Sequence, residues 1–194
     1  MGTADSDTDW HSLAIEQLTW HWEHHARPRL DGLTDEEYLW EPVAGAWSVR
    51  PRGTGATAQA IGSGDWEIDF ALPEPSPAPV TTIAWRLGHI IVGIFGARAA
   101  SHFGFRPCDY VTWDYAGTAE GALAQLDETY AAWLAGVRGL DSAALAKAVG
   151  EAEGPFADHP MAELVLHINR EAIHHLAEIA LLRDLWAHGV RDQV

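Results

Sequence analysis

An all-α fold, with four long helices in a bundle and one long irregular loop or small hairpin between the first two, follows from three features of the sequence. Four segments of about 17 to 28 residues carry apolar side chains at helical spacing. Residues that cap helices, or Pro and Gly, stand at most of their ends. Only residues 41–80 are rich enough in Gly and Pro to forbid a long helix. The 194 residues show no internal repeat and no linker, so 1–194 reads as a single domain around one core.

The first helix spans 10–26, with Asp9 as N-cap, apolar surface from Leu13, Ile15, Leu18, Trp20 and Trp22, and Pro28 marking its end. A short helix, "TDEEYLW", follows Thr34, and Glu37 three residues later completes the capping-box pattern before Pro42 stops it. Within 41–80, "AWSVR" and "WEIDF" read as two strands of a hairpin. A loop this long in a compact domain usually has a task, such as covering a site. The second long helix spans 81–103, with Ile83, Leu87, Ile90, Ile91, Ile94 and Phe95 on a broad apolar face. Gly88, Gly93 and Gly96 lie inside it, each costing about 1 kcal/mol against alanine. Close approach of a second helix, in the core or in a homodimer, is the simplest compensation. "FGFRPCDYVTWDYAG" is a connection, 118–139 is the third helix between Thr118 and Gly139, and "AVGEAEGPFADHP" is another connection. The last helix spans 160–187 and ends before Gly189.

Composition narrows the function classes. A net charge of −16 repels phosphate backbones and anionic lipid, which argues against nucleic-acid and membrane partners. The acidic, polar start "MGTADSDTDWH" lacks the basic and apolar regions of a signal peptide, and no run reaches the roughly 18 apolar residues of a membrane span. A cytoplasmic protein is expected. Arginine outnumbers lysine eleven to one, as in GC-rich bacterial genomes. One cysteine, Cys108, forbids an intrachain disulfide and a Cys-rich zinc site, so any transition metal falls to His, Asp or Glu. Cys108 itself, in "FRPCDY", has no recognisable catalytic partner. Ten tryptophans imply a dense aromatic core or an aromatic-lined pocket.

The chemistry lies in the histidines. In "LVLHINREAIHHLAEIALLRDLW", Glu171 and His175 are four apart, as are His167 and Glu171, and such pairs share a helix face. His174 and His175 are rotated by about 100° and cannot both address one centre from a regular helix. Two sets remain: Glu171 with His175, and with or without His167; or His174 with Arg170 and Glu178. A third ligand must come from another helix. His89, in "WRLGHIIVG", sits among apolar residues and needs a partner for its nitrogens if buried. A metal shared with Glu171 and His175 would satisfy it. The plainer alternatives are a core histidine bonded to a carbonyl or hydroxyl, and a surface Glu–His ion pair. "HWEHH" sets His21 and His25 at the same spacing beside His24. A solvated or capping role near the helix C-terminus fits it better, because the dipole there favours protonated His.

"LTDEEYLWEPVAGAWSVRP", "TTIAWRLGHIIVGIFGAR" and "HINREAIHHLAEIALLRDLW" together resemble the DinB superfamily of four-helix-bundle proteins, over essentially the whole chain. The resemblance implies a divalent metal held by one His of the second long helix and an H-x-x-x-H pair of the last. Here Glu171 stands where the first His of that pair often stands. The His, Glu, His set of the mycothiol-dependent maleylpyruvate isomerase branch is similar in this respect. His89, Glu171 and His175 are thus the implied ligands, for zinc first and nickel or iron as alternatives. Glu178, one turn beyond His175, is a candidate carboxylate to hold a ligand histidine from behind, or else a surface residue paired with Arg183 or solvent.

Two imidazoles and a carboxylate leave coordination positions open, as catalytic sites do. The implied activity is that of a thiol S-transferase or isomerase, in which a low-molecular-weight thiol such as mycothiol attacks an electrophile. The loop 41–80 and its tryptophans would wall the pocket. A non-catalytic metal-binding or stress-associated protein and a metal-dependent hydrolase are the alternatives.

Overall fold

The computed structural model describes residues 8–193, so most of the acidic start of the chain, on which the signal-peptide reading rests, lies outside them. Helix α1 (Trp10–His21) begins at Asp9, whose carboxylate accepts from the Ser12 N–H at 3.0 Å and the Ser12 hydroxyl at 2.6 Å. It continues as a π-helical turn, Trp22–Ala26, and stops at Pro28, which opens a 3₁₀ turn, Pro28–Leu30. Helix α2 (Asp35–Tyr38) is capped by the Thr34 hydroxyl, which accepts from the Glu37 N–H at 3.3 Å. The capping box is only half made. The Glu37 carboxylate turns inward and takes a two-pronged ion pair from Arg183, at 2.8 and 3.1 Å. A fork of charge-assisted bonds outcompetes one amide, and it ties α2 to the last helix.

Strands β1 (Val49–Pro51) and β2 (Trp66–Ile68) form the expected antiparallel hairpin, with Val49 opposite Ile68 and Arg50 opposite Glu67. The long loop around it is knotted by Asp69, which is 1% exposed. Its carboxylate accepts from the N–H groups of Ser48 (2.9 Å) and Ala56 (2.7 Å) and from Arg50 Nε (3.0 Å). Its carbonyl accepts from the Trp85 indole at 2.9 Å. The backbone of Trp47 bonds Val80 and Thr82, both at 2.9 Å, so the hairpin is sewn to the start of the next helix.

That helix is a rod of three parts: α3 (Ile83–His89), a π-helical segment (Ile90–Gly96) and α4 (Ala97–Phe103). The single helix expected over 81–103 therefore changes its winding directly after His89. Helix α5 (Ala119–Arg138) starts at Thr118, and α7 (Met161–Ala187) ends before Gly189, whose φ of +79° suits only glycine comfortably. Between them lie α6 (Ser142–Leu145) and a 3₁₀ turn (Glu151–Phe156) in what the sequence shows as loop. Elements of four to six residues are too short to reveal a period.

The rod packs against α5 and α7, and α1 against α7. Trp22 of the first helix stacks on Tyr130 of α5 (3.8 Å, 8°) and meets Phe95 of the rod edge-on, so the long helices share one core. By length and composition Ile83–Phe103 would suffice to cross a membrane, which corrects the expectation that no segment would, but 67% of its apolar window is buried within the protein. The glycines of the rod also differ from expectation. They make room for the 104–117 connection and the hairpin, not for another helix. A Cβ on Gly96 would fall 2.5 Å from Cys108 Sγ, and one on Gly88 3.0 Å from Ile68 Cδ1.

Because Asp69 is fully buried and paired, Asp69→Ala leaves Arg50 Nε and two amides without their acceptor, although Glu41 and the Ala46 carbonyl still hold the rest of the guanidinium. A loss of about 2–4 kcal/mol is expected in chemical denaturation. A loss within experimental error would show that the knot does not hold the loop.

Candidate metal centre

His89 ends α3, His175 lies in the middle of α7, and the packing of the two helices brings their rings edge to face, 4.8 Å apart at 89°. His175 is 9% exposed, whereas the neighbouring His174 turns outward, as the helix rotation requires. Each inner histidine has its Nδ1 engaged. That of His175 lies 2.6 Å from Glu178 Oε2, and that of His89 lies 2.6 Å from the Tyr110 hydroxyl. The His175 Nε2 faces Glu171 Oε2 at 3.7 Å. Arg86 NH1 stands 3.2 Å from Glu178 Oε2 and also 3.2 Å from His175 Nδ1. A guanidinium only donates, so the consistent assignment has Nδ1–H of His175 donating to Glu178, with Arg86 donating to that same carboxylate. The Nε2 lone pair of His175 is then left to the Glu171 side.

Burial holds both imidazoles neutral. It pushes His89 down to about 3, helped by the charges of Arg86 and Arg98 and by that of His175 whenever His175 is protonated. It also lowers His175, against the opposing effect of the hydrogen bond that His175 donates to Glu178. Neutral imidazole is the form that binds metals. Burial likewise depresses Arg86, which Glu178 offsets, and the Arg86 guanidinium lies 5.4 Å from the Trp85 ring centre. Trp85 in turn stacks on His89 (5.4 Å, 15°), and Trp47 backs Trp85 at 6.1 Å. Of the two tryptophans in 41–80, Trp47 reaches this wall, whereas Trp66 lies against Gly117.

The chain thus brings together His89 and His175, and His175 with Glu171. His167 continues the row: its Nδ1 lies 3.7 Å from the other oxygen of Glu171 and 2.6 Å from Arg170 NH2. Glu178 is the acceptor for His175 and not a partner of Arg183, which Glu37 occupies. A second cluster was not legible as one. His174, His175 and Glu178 each bring a ligand atom within 4.8 Å of the others, a grouping that can hold a metal ion. The rotation between adjacent residues was expected to keep the two histidines from a common centre. Glu178 overcomes it, being four residues from one and three from the other, so both rings lean toward its carboxylate (3.5 Å from His174, 2.6 Å from His175).

In the first helix, His21 and His25 lie 5.9 Å apart, and His24 places Nδ1 3.0 Å from the Trp20 carbonyl, a capping-type contact. His21 departs from the expected protonated role. Burial and the charge of His25 lower its pKa, and its Nε2 is buried without a partner. Burial pushes the Cys108 thiol up to about 12, away from the thiolate form that a nucleophile uses.

A family model described as the DinB superfamily matches residues 17–179, from the first helix through the histidines of α7. The chain belongs to the DinB superfamily. No curated protein and no solved structure matches it. Within this DinB-superfamily protein, the group of three whose ligand atoms converge among the described residues is His174, His175 and Glu178, while on the inner side Glu171 approaches His175 Nε2 at 3.7 Å and the His89 ring faces that of His175 at 4.8 Å.

The low pKa of His89 has a signed consequence in the metal-free protein. Above the ordinary value of 6.5, folded and unfolded chains both carry neutral His89 and stability is intact. As pH falls from 6.5 toward about 3, the unfolded chain takes up a proton that the folded chain refuses, and stability is lost. Denaturation curves across that window should show a shallower loss for His89→Gln than for wild type. Equal slopes would contradict the burial of an uncharged imidazole.

Proposed function

We propose that the protein is a divalent-metal-dependent thiol S-transferase or isomerase, with His89, Glu171 and His175 as ligands and a low-molecular-weight, mycothiol-like thiol as cosubstrate. One observation carries the reading. Two desolvated, neutral histidines on facing helices have their Nδ1 atoms engaged, by Tyr110 and Glu178, which leaves Nε2 of each for a ligand. A metal-binding His usually gives its other nitrogen to just such a partner. The donor set, two imidazoles and one carboxylate, suits zinc, with nickel or iron as alternatives, and leaves positions open for substrate.

When bound, such a metal lowers the pKa of a coordinated thiol or water and presents the anion as a nucleophile. The chain's own residues do the rest. Glu178 fixes the tautomer of His175 and balances Arg86. Arg86, with a fifth of its side chain exposed, keeps one hydrogen-bonding cation beside the histidines, where a polar group of thiol or electrophile could meet it. Trp85, pinned by Asp69, screens one face of His89 from water. The reading includes a four-helix-bundle arrangement, kinship with the maleylpyruvate isomerase branch, a cytoplasmic setting, and small-molecule partners to the exclusion of nucleic acid and membrane. A second copy of the chain stays part of it, although the glycines that suggested a dimer are filled from within the chain.

Metal analysis of the purified protein tests the reading. Wild type and His21→Ala should carry stoichiometric metal, and His175→Ala should lose it. Unchanged metal in His175→Ala would overturn the site. Conjugation of monochlorobimane with a panel of thiols then tests the chemistry. Bound metal without turnover on any thiol would turn the assignment to a metal-binding protein.

A further inference from the structure

We infer that Tyr110 is a positioning residue for the metal centre, and that Gly93 is glycine so that Tyr110 can reach His89. The inference rests on the metal reading above and goes beyond its ligand set, to a residue of the 104–117 connection and the glycine that admits it.

A neutral imidazole has one N–H and one lone pair. For His89 to ligate through Nε2, its proton must sit on Nδ1, and a buried Nδ1–H needs an acceptor. The Tyr110 hydroxyl stands 2.6 Å from that atom. A phenol hydroxyl can accept or donate, and the metal-ready tautomer is the one in which it accepts from Nδ1–H. His175 receives the same service from Glu178, but within its own helix, one turn away. His89 has no such residue on α3. Its acceptor comes from the 104–117 connection, which must therefore lie close against the rod.

Several contacts hold Tyr110 there. The Asp109 carboxylate accepts from the N–H groups of Val111 and Thr112, at 2.8 and 2.9 Å, which folds the turn that carries Tyr110. The Tyr115 hydroxyl donates to the Tyr110 carbonyl at 3.1 Å. Ser63, from the loop around the hairpin, bonds the Thr112 and Trp113 carbonyls, at 2.7 and 2.9 Å. The rod provides the space. A Cβ on Gly93 would fall 2.0 Å from the Tyr110 hydroxyl oxygen and 3.3 Å from His89 Nδ1. Any larger residue would thus stand between the phenol and the imidazole. Gly93 lies one turn beyond His89, inside the π-helical segment, a form of helix that recurs at functional sites. Trp85 on the other side limits how the His89 ring can swing.

Tyr110→Phe keeps the ring and removes only the acceptor; Gly93→Ala keeps the phenol and displaces it. Zinc affinity, measured by competition with a chromophoric chelator, should fall about 10- to 100-fold in each. Ring-nitrogen NMR of the metal-free protein provides a readout that packing alone would not move. Wild type should show a protected His89 Nδ1–H, and Tyr110→Phe should lose it or shift to the Nε2–H tautomer, while thermal unfolding and far-UV dichroism report whether the fold survives. If Gly93→Ala fails to fold, Tyr110→Phe decides alone. Wild-type zinc affinity in Tyr110→Phe, with His175→Ala devoid of metal, would overturn the positioning role and leave the metal reading standing. Metal retained by His175→Ala would overturn both.

Discussion

A buried imidazole must satisfy two nitrogens, and at His89 and His175 that requirement organises the surrounding structure. Neither ring can be protonated cheaply in its desolvated position, so each keeps one proton and one lone pair. The Nδ1 of each has a neighbour: Glu178 on the same helix for His175, Tyr110 on a separate connection for His89. The lone pairs are what the fold leaves unspent. Helix packing alone, without these assignments, would be compatible with two ordinary core histidines.

The same constraint explains why distant parts of the chain converge on α3. Asp69 looks like a loop residue, yet it is buried and joins the Ser48 and Ala56 amides, Arg50 and the Trp85 indole in one knot. That knot fixes Trp85, and Trp85 stacks on His89. The long loop therefore acts less as a cover than as a brace. On the other side, the 104–117 connection braces His89 through Tyr110, in space that Gly93 and Gly96 leave free. Such bracing is costly in chain entropy and is expected where a side chain must be held in one orientation.

The long helices were legible because their periods run over many turns and their ends carry Asp9, Thr118, Pro28 and Gly189. The hairpin was legible from two β-rich stretches within a Gly/Pro-rich region. The short α6 and the π-helical turns were not, since neither leaves a distinctive pattern in a few residues. For the site, the i, i+4 rule found Glu171 with His175, and the apolar setting of His89 pointed to burial. What one-dimensional spacing could not show was side-chain reach. Glu178 gathers two histidines that helix rotation separates, and Glu37 leaves its capping role for Arg183. Tyr110 lies 21 residues beyond His89 and joins it only through the course of an irregular connection. The glycines were rightly read as room for something close, but only the fold shows that the guest is a phenol and a thiol.

The central claim is that the metal belongs between the facing helices, on the Nε2 side of His175, and not at the outer cluster of His174, His175 and Glu178. A crystal structure of the wild-type protein grown with zinc, with anomalous data at the zinc edge, tests this directly. The account predicts a peak within coordination distance, about 2.0–2.2 Å, of His89, Glu171 and His175, with Glu178 still bonded to His175 Nδ1. A peak on His174, Glu178 and the Nδ1 of His175, with His89 unligated, would contradict it.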